Sequence, residues 1–359
     1  MCPVLSADLA AAAALAALVA ASPGAWSHDR TLSDPRITES SDLVVSALHP
    51  GLVWTTNDSG DTARVFGVDR SGRTVALLHL RGAVNRDWEA LAAGRGAGGV
   101  PLLWVGDVGD NLSQWRSVRV YRVVEPTRLG DQDVAWTAYD LRYPDGPHDA
   151  ETLLVDPRTQ RMYIVTKQLR NAAVYEAPRR LRPDRVNLLR RVAPAPPIVT
   201  DGAFSPDGRT VALRGYFSAW TAPSIRGPWA TMAIPLQPQG ESLSWTPDGS
   251  ALLLGSEGGR SQVWRVPVRV GSASGGAVAS TSPASSTADG PTTSRRAVAS
   301  SASTEGTAAA GSGGGTSREA RLLLAAGAAV AALTATVSRR RRRGEGAVRA
   351  RRPRGRRTP

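Results

Sequence analysis

Cysteine, histidine and lysine are scarce in this chain, and each shortage excludes a class of protein. Its one cysteine, Cys2, permits neither a disulfide framework nor a cysteine-based zinc site. The four histidines form no H-E-x-x-H pattern, and the G-x-S-x-G and G-x-x-x-x-G-K motifs are also missing. The sequence therefore lacks the usual signatures of zinc proteases, α/β-hydrolases and P-loop nucleotide-binding proteins. Lys167 is the only lysine, so arginine supplies the remaining positive charge.

The net charge of +13 comes mostly from one end of the chain. Residues 339–359 hold eleven arginines against Glu345, which leaves about +3 for the other 338 residues. A strongly basic protein often binds nucleic acid, but here the charge belongs to a tail and not to the body of the chain. We therefore do not expect nucleic acid as a partner. A disordered nucleic-acid-binding arm is the alternative for the tail.

An apolar run near the N-terminus predicts export. Residues 10–21 are apolar and are followed by Ala25-Trp26-Ser27, a small-x-small sequence of the kind that signal peptidase cleaves. We predict a signal peptide over residues 1–27 and a folded, extracellular domain over residues 28–270. No lysine or arginine precedes the run, and the alternatives are a misassigned start codon or a short buried helix.

The C-terminal quarter predicts a stalk, a membrane anchor and a tail. Residues 271–317 are rich in Ser, Thr, Ala and Gly, cannot bury a core, and are predicted to be a disordered stalk. The apolar stretch after it predicts one transmembrane helix over residues 318–338. The arginine-rich residues 339–359 belong on the cytoplasmic side, close to anionic lipid. The expected location is the cell membrane, with a single span of type I.

A repeat in the body of the chain predicts the fold. The stretches "DAETLLVDPRTQRMYIVTK" (149–167) and "QGESLSWTPDGSALLLGSE" (239–257) align over two strands and a turn, and three further copies fit. Most copies are followed by one or two more short strands. Repeated four-stranded antiparallel sheets predict an all-β protein, a β-propeller of five blades, with six as the alternative. Residues 28–38 are expected to complete the last blade and close the ring.

Acidic residues recur at both ends of the repeated hairpin. The first strand starts with Asp-x-Glu in two copies, at Asp87 and Asp149. The second strand ends in "NDSGD" in the first copy and in "GDVGDN" in the copy that starts at Asp87. In a propeller these positions converge on the mouth of the central channel. Crowded carboxylates raise one another's pKa, and a bound cation with oxygen ligands, Ca²⁺ or alternatively Mg²⁺, relieves the repulsion. The alternative is that these acids are only turn formers.

The predicted metal ligands share these two strand ends. They are Asp58, Asp61, Asp87, Glu89, Asp107, Asp110, Asn111, Asp149, Glu151, Glu241 and Glu257. His148, beside Asp149, is a weak candidate for a general base, and a plain loop histidine is the alternative.

The motifs "NDSGD", "DWEALA", "GDVGDN", "HDAETLLVDP" and "SPDG" resemble those of secreted bacterial β-propeller proteins with phytase-like or esterase-like domains. The resemblance covers about residues 37–268. In β-propeller phytases, calcium ions in an acidic central mouth bind substrate phosphate and activate water. The resemblance implies a ligand role for Asp58, Glu89, Asp107, Glu151 and Glu241, with Lys167 and Arg214 facing an anionic substrate. The fourth copy departs from the pattern, because Thr200 stands where others have Glu.

These features predict a membrane-anchored, cell-surface propeller that binds a divalent cation and an unidentified extracellular ligand or protein. One alternative is a calcium-dependent hydrolase of phosphate or carboxyl esters, in which metal-bound water is the nucleophile. The other is a metal-free structural spacer.

Overall fold

The computed structural model describes residues 26–268 of the 359-residue chain. Apart from a 3-10 turn at Ala97–Gly99, every regular element in this range is a β-strand, and the strands form five small sheets. The described part is a five-bladed β-propeller, which confirms the expected fold and blade number. Between residues 26 and 268 no helix is long and apolar enough to cross a membrane. The predicted stalk, transmembrane helix, tail and, except for Trp26 and Ser27, signal peptide lie outside the described residues.

The strands follow one another with short connections. In chain order they are β1 (Ser27–Thr31), β2 (Val44–Val45), β3 (Val53–Thr55), β4 (Arg64–Val68), β5 (Thr74–His79), β6 (Trp88–Arg95), β7 (Pro101–Asp107), β8 (Val118–Val124), β9 (Asp131–Asp133), β10 (Trp136–Arg142), β11 (Ala150–Val155), β12 (Met162–Thr166), β13 (Ala173–Glu176), β14 (Asn187–Leu188), β15 (Arg190–Pro194), β16 (Val199–Phe204), β17 (Val211–Gly215), β18 (Ala219–Ala222), β19 (Ala230–Met232), β20 (Gly240–Trp245), β21 (Ala251–Ser256) and β22 (Gln262–Pro267).

Each blade is an antiparallel sheet that starts at the channel and runs outwards. The blades, from the innermost strand, are β2-β3-β4-β5, β6-β7-β8-β10, β11-β12-β13-β15, β16-β17-β18-β19 and β20-β21-β22-β1. Large side chains fill the spaces between neighbouring blades. Trp54 of blade 1 and Trp88 of blade 2 are fully buried in one such cluster with Tyr121. Burial of an aromatic side chain of this size contributes about 2–3 kcal/mol.

Two blades differ from the expected four-stranded form. Blades 1 and 2 each have a fifth strand at the outer edge. In blade 1, β9 pairs in parallel with β5, and in blade 2, β14 pairs in parallel with β10. Both extra strands come from the long connection between the third and fourth strands of the next blade. The 62-residue interval from Glu89 to Glu151, which raised the alternative of six blades, is therefore explained by β9 and its flanking loops. The added strands cover sheet edges that would otherwise be open.

The N-terminal strand closes the ring. Strand β1 pairs with β22, with Ser27 opposite Arg265 and Thr31 opposite Gln262, which confirms that residues near the N-terminus complete the last blade. Arg30, buried to 96%, ties this closing strand to blade 1 because its Nη1 donates to the carbonyl oxygens of Gly51, Val68 and Asp69.

The channel has two different ends. The innermost strands β2, β6, β11, β16 and β20 all start at one end, which we call the mouth, and the surface around it is the mouth face. The loops from the second to the third strand and the connections between blades also lie on this face. At the opposite end the channel widens into a cavity of about 410 Å³ bounded by the last residues of the innermost strands.

Ring closure depends on a close approach at Gly72. This residue has φ +81°, and a Cβ there would lie 1.8 Å from the carbonyl oxygen of Thr31. Gly82 has nearly the same φ, +80°, with no atom within 4 Å of the added Cβ. We expect Gly82→Ala to lower the free energy of unfolding by about 1–2 kcal/mol through backbone strain alone. Gly72→Ala should lower the free energy of unfolding by about 1–3 kcal/mol more than Gly82→Ala does, because the closing strand must shift. Urea denaturation of both variants measures the difference, and equal destabilisation would contradict the closure described here.

Candidate cation site at the channel mouth

A β-bulge at the start of four innermost strands directs side chains to the mouth. The pairing with the second strand shifts register between Trp88 and Ala90, and the same irregularity recurs in blades 3, 4 and 5. The residues left out of the ladder are Glu89, Glu151, Thr200 and Glu241–Ser242. A bulge residue leaves the regular alternation of the strand, so its side chain takes a new direction. The glutamates aligned by the sequence repeat are therefore equivalent in structure.

A repeated backbone hydrogen bond joins the two ends of the hairpin at the mouth. The N–H group after the second strand donates to the carbonyl before the first strand at 2.9–3.2 Å in four blades. The pairs are Asp58 to Glu39, Gly109 to Asp87, Lys167 to Asp149 and Glu257 to Gln239. Each bond closes one hairpin, and the ring of blades then brings acids as distant in sequence as Asp58 and Glu257 to the same mouth.

Three carboxylates form the tightest group. Asp58, Asp87 and Glu89 each offer an oxygen, and these oxygens lie within 4.8 Å of one another. All three side chains are buried, with Asp58 the most exposed at 8%. Burial, followed by the charges of Asp58, Glu151 and Asp87, raises the pKa of Glu89 well above its usual value. This site brings together the end of β3 in blade 1 and the start of β6 in blade 2.

Two supporting residues hold the group in place. Asn85 donates from Nδ2 to the carbonyl oxygens of Asn57 and Asp58, at 3.2 and 2.8 Å, and so fixes the blade 1 loop against blade 2. Asp107 accepts the N–H of Asp87 at 2.8 Å and thereby orients the residue that carries the second carboxylate. Sequence reasoning missed Asn85, because its partners are set by the contact between blades and leave no mark on the local sequence.

The glycines of the two D-x-G-D turns have different structural roles. Gly60 in the first has φ +88° and open space around it, so it is a turn glycine. Gly109 in the second is a packing glycine, because a Cβ there would lie 2.6 Å from Cγ of Glu89 and 2.8 Å from Oδ2 of Asp87. The backbone at Gly109 therefore forms a wall of the carboxylate group.

On the side of blades 3 to 5, the mouth contains a positively charged side chain. Lys167 forms an ion pair with Glu151 and lies 5.1 Å from the ring centre of Tyr216. Burial alone would lower the pKa of Lys167, but Glu151, Glu241 and neighbouring groups raise it well above its usual value. Burial raises the pKa of Glu151 to about 8 in spite of Lys167, and its Oε2 is buried without a hydrogen-bond partner among the described residues. Burial and Glu151 also raise the pKa of Glu241 well above its usual value.

Several predicted ligands have other contacts. Asp61 forms an ion pair with Arg64 at 2.7 Å and accepts a hydrogen bond from Asn57. Asp107 forms an ion pair with Arg86, also at 2.7 Å, in addition to its bonds to backbone N–H groups. The structure thus places both carboxylates beside arginines and outside the group of three.

The remaining predicted ligands lie around the same rim. Asp110 donates its N–H to Asp149 and accepts the N–H of Trp115, so it shapes the loop after β7. Asn111 is exposed, and Asp149 and Glu257 are partly exposed at the mouth. Burial raises the pKa of Asp149 even though Lys167 lowers it.

Arg214 does not face the mouth opening, in contrast to the position expected from the sequence. Its side chain is fully buried and donates to the carbonyl oxygen of Ser242 and to Oε1 of Gln237, at 3.0 and 2.8 Å. Gly240 makes room for it, since a Cβ there would lie 2.0 Å from the guanidinium. Burial lowers the pKa of Arg214 to about 10. These contacts join blades 4 and 5 and are structural.

His148 belongs to an aromatic cluster beside the mouth. Its ring contacts those of Tyr143 and Tyr175, and its Nε2 lies 3.0 Å from both Asp145 Oδ1 and the Tyr175 hydroxyl. Gln168 lies 3.2 Å from Nδ1. Both ring nitrogens thus have partners within the cluster, as in the loop histidine considered above.

Comparison with known proteins finds similarity at the level of solved structures. No family model and no curated protein matches the chain. Among solved structures, a chain in the crystal structure of a mitotic checkpoint complex aligns with a TM-score of 0.34 and 10% sequence identity. The alignment covers 64% of each chain, so this protein spans less than two thirds of the length of its structural match. A similarity this remote indicates nothing about function.

The crowded carboxylates predict an unusual pH dependence in the absence of metal. The pKa of Glu151 rises from an ordinary 4.5 to about 8 on folding, so between these values the folded state binds more protons than the unfolded state. In a chelator, the free energy of unfolding should therefore fall as the pH rises through this window. Glu151→Gln should reduce that fall.

Asp207→Asn is the matched control for this variant. Asp207 is exposed, and a hydrogen bond from Ser205 lowers its pKa below the ordinary 3.8, so it does not titrate in the window. Urea denaturation at about pH 5 and pH 8 measures the effect. If the free energy of unfolding in chelator instead increases from pH 5 to pH 8, the carboxylates at the mouth are not crowded as described.

Proposed function

We propose that the chain is a cell-surface binding module whose propeller holds a divalent cation, Ca²⁺ in preference to Mg²⁺, at the channel mouth. The observation that carries the proposal is the group of Asp58, Asp87 and Glu89, three buried carboxylates whose oxygens lie within 4.8 Å. Surface display rests on the signal peptide and membrane span predicted from sequence, which lie outside the described residues.

The donor set fits calcium. Ca²⁺ takes oxygen ligands at about 2.3–2.6 Å, so two oxygens on opposite sides of the ion are separated by about 5 Å. The spacing of Asp58, Asp87 and Glu89 is within that span. Carboxylates without cysteine or histidine suit a hard cation better than zinc.

A comparison of the two sides of the mouth is a second argument for a bound cation. In blades 3 to 5, Lys167 lies among Glu151, Glu241 and Tyr216 and supplies a positive charge to that half. Lys167 also acts on Glu89, but burial and the charges of Asp58, Glu151 and Asp87 outweigh it and raise the pKa of Glu89 well above its usual value. A bound divalent ion would supply the equivalent charge there. Its remaining coordination positions would be available to an oxygen-bearing ligand at the mouth.

Calcium should therefore stabilise the folded chain. At a calcium concentration a hundredfold above Kd, binding to the folded state alone adds about 2.7 kcal/mol to the free energy of unfolding. Glu89→Gln should abolish this increase and, because it removes a buried like charge, should leave the metal-free protein at least as stable as the parent. Thermal melting with calcium and with chelator measures both effects. Asp207→Asn, which removes an exposed acid remote from the mouth, should respond to calcium like the parent.

A variant that keeps every carboxylate tests the geometry separately. Gly109→Ala should weaken the calcium response, because the new Cβ lies against Asp87 and Glu89. Gly259→Ala is the control, since no atom lies within 4 Å of a Cβ at that position. If calcium does not raise the melting temperature of the parent, or if Gly109→Ala and Glu89→Gln respond as the parent does, the proposal fails. The hydrolase alternative stays a prediction, to be tested by phosphate-ester and carboxyl-ester turnover.

A further inference from the structure

Exposed apolar side chains concentrate on the mouth face. The five most exposed large apolar residues in the described range are Leu236, Leu112, Leu169, Phe217 and Val84, with exposed fractions of 85, 75, 62, 60 and 57%. All five lie in loops of the mouth face, and we call them the apolar rim. Of the other six exposed large apolar residues, at 36–54%, Leu48, Val100 and Val124 lie towards the opposite end of the channel. Leu129, Val186 and Leu188 lie near the outer edges of blades 1 and 2, with Leu188 opposite Arg142 at the end of β10.

The apolar rim follows the mouth across successive blades. Leu112, Leu169 and Phe217 occupy the loop from the second to the third strand in blades 2, 3 and 4. Leu236 lies in the connection from blade 4 to blade 5, next to Gln237, whose side chain contacts Arg214. Single exposed apolar residues are common on any surface, but here the five most exposed ones share one face, which favours an interaction site there.

The described chain leaves the mouth face open. Strand β22 runs away from the mouth, and the N–H of Val268 donates to the carbonyl of Ser250, in the turn at the opposite end. Strand β1 starts beside the end of β22, so Trp26 lies at that end as well. Both ends of the described chain therefore leave the propeller away from the apolar rim.

We propose that the mouth face is a docking surface for a polypeptide that places a lysine or arginine side chain at the mouth and apolar side chains on the rim. Charge complementarity indicates the basic residue. Apart from the three proposed calcium ligands, the mouth holds Asp149, Glu151 and Glu241 around Lys167. Oε2 of Glu151 is buried without a hydrogen-bond partner among the described residues. These three acids do not belong to the proposed cation site, so the inference goes beyond that site and does not depend on it.

A polypeptide fits this face better than a lipid surface. The acids at the centre would repel anionic headgroups. Polar residues such as Ser113, Asn171 and Ser218 stand beside the apolar side chains and supply hydrogen-bonding groups, as at ordinary protein interfaces. A buried contact of large apolar residues around a central charged pair is the arrangement in which few residues dominate the affinity.

The test uses the full-length chain and a display library of random twelve-residue peptides. We expect selected peptides to be enriched in lysine or arginine together with large apolar residues. Fluorescence polarisation of a labelled selected peptide should then show affinity about tenfold or more weaker for the triple variant Leu112→Ser, Leu169→Ser, Phe217→Ser. The matched control, Leu48→Ser, Val100→Ser, Val124→Ser, changes three exposed apolar residues outside the mouth face and should bind within about twofold of the parent.

Each other outcome overturns the proposal. Selected peptides without basic enrichment, or equal affinity for both triple variants, would remove the docking surface. Rim-dependent association with phosphatidylcholine vesicles in place of peptides would assign the face to lipid, and rim-dependent self-association would assign it to a second copy. Leu236→Ser, at the most exposed position, replaces the triple variant if that variant does not fold. The calcium response of the rim variants shows whether the cation site is intact, so the two proposals fail independently.

Discussion

The crowding of carboxylates on the propeller axis is the constraint on which the rest of the site depends. Closing five sheets into a ring brings the starts of the innermost strands together. The β-bulge at the start of three of these strands directs Glu89, Glu151 and Glu241 to the mouth. Like charges in a buried place destabilise the fold unless protons, an internal cation or a bound ion offset them. The pKa values of these glutamates are raised, as that argument requires.

The mouth offsets its charge in different ways around the ring. Lys167 supplies a positive charge among Glu151 and Glu241, and Arg214, buried between blades 4 and 5, lies close enough to lower the pKa of Glu241. On the side of blades 1 and 2, the group of Asp58, Asp87 and Glu89 has the spacing of a cation site. This asymmetry also explains why Thr200 is tolerated in the fourth blade, since a fourth glutamate there would add to a crowd that Lys167 already only partly offsets.

Much of the fold was predictable because its signal is periodic. The sixteen-residue spacing between Glu151 and Lys167, repeated at Glu241 and Glu257, gave the hairpin of each blade and the convergence of its ends at the mouth. The added strands β9 and β14 were not predictable, because each is only two or three residues long and pairs with a different blade.

Individual roles within the site were harder to predict than its location. Asp61 and Asp107 match the acidic pattern, but Arg64 and Arg86 pair with them, and those contacts depend on side-chain geometry that spacing does not encode. Arg214 was expected at the opening because the end of its strand lies near the mouth. In the structure its side chain points inwards, into space left by Gly240 of the next blade. Sequence spacing locates a residue along a strand, but neighbouring blades decide what the residue contacts.

Anomalous diffraction from crystals grown with calcium tests the central claim most directly. The account predicts one calcium peak between the carboxylates of Asp58, Asp87 and Glu89, with oxygen ligands at about 2.3–2.6 Å. A well-ordered mouth with no peak between these three side chains would contradict it.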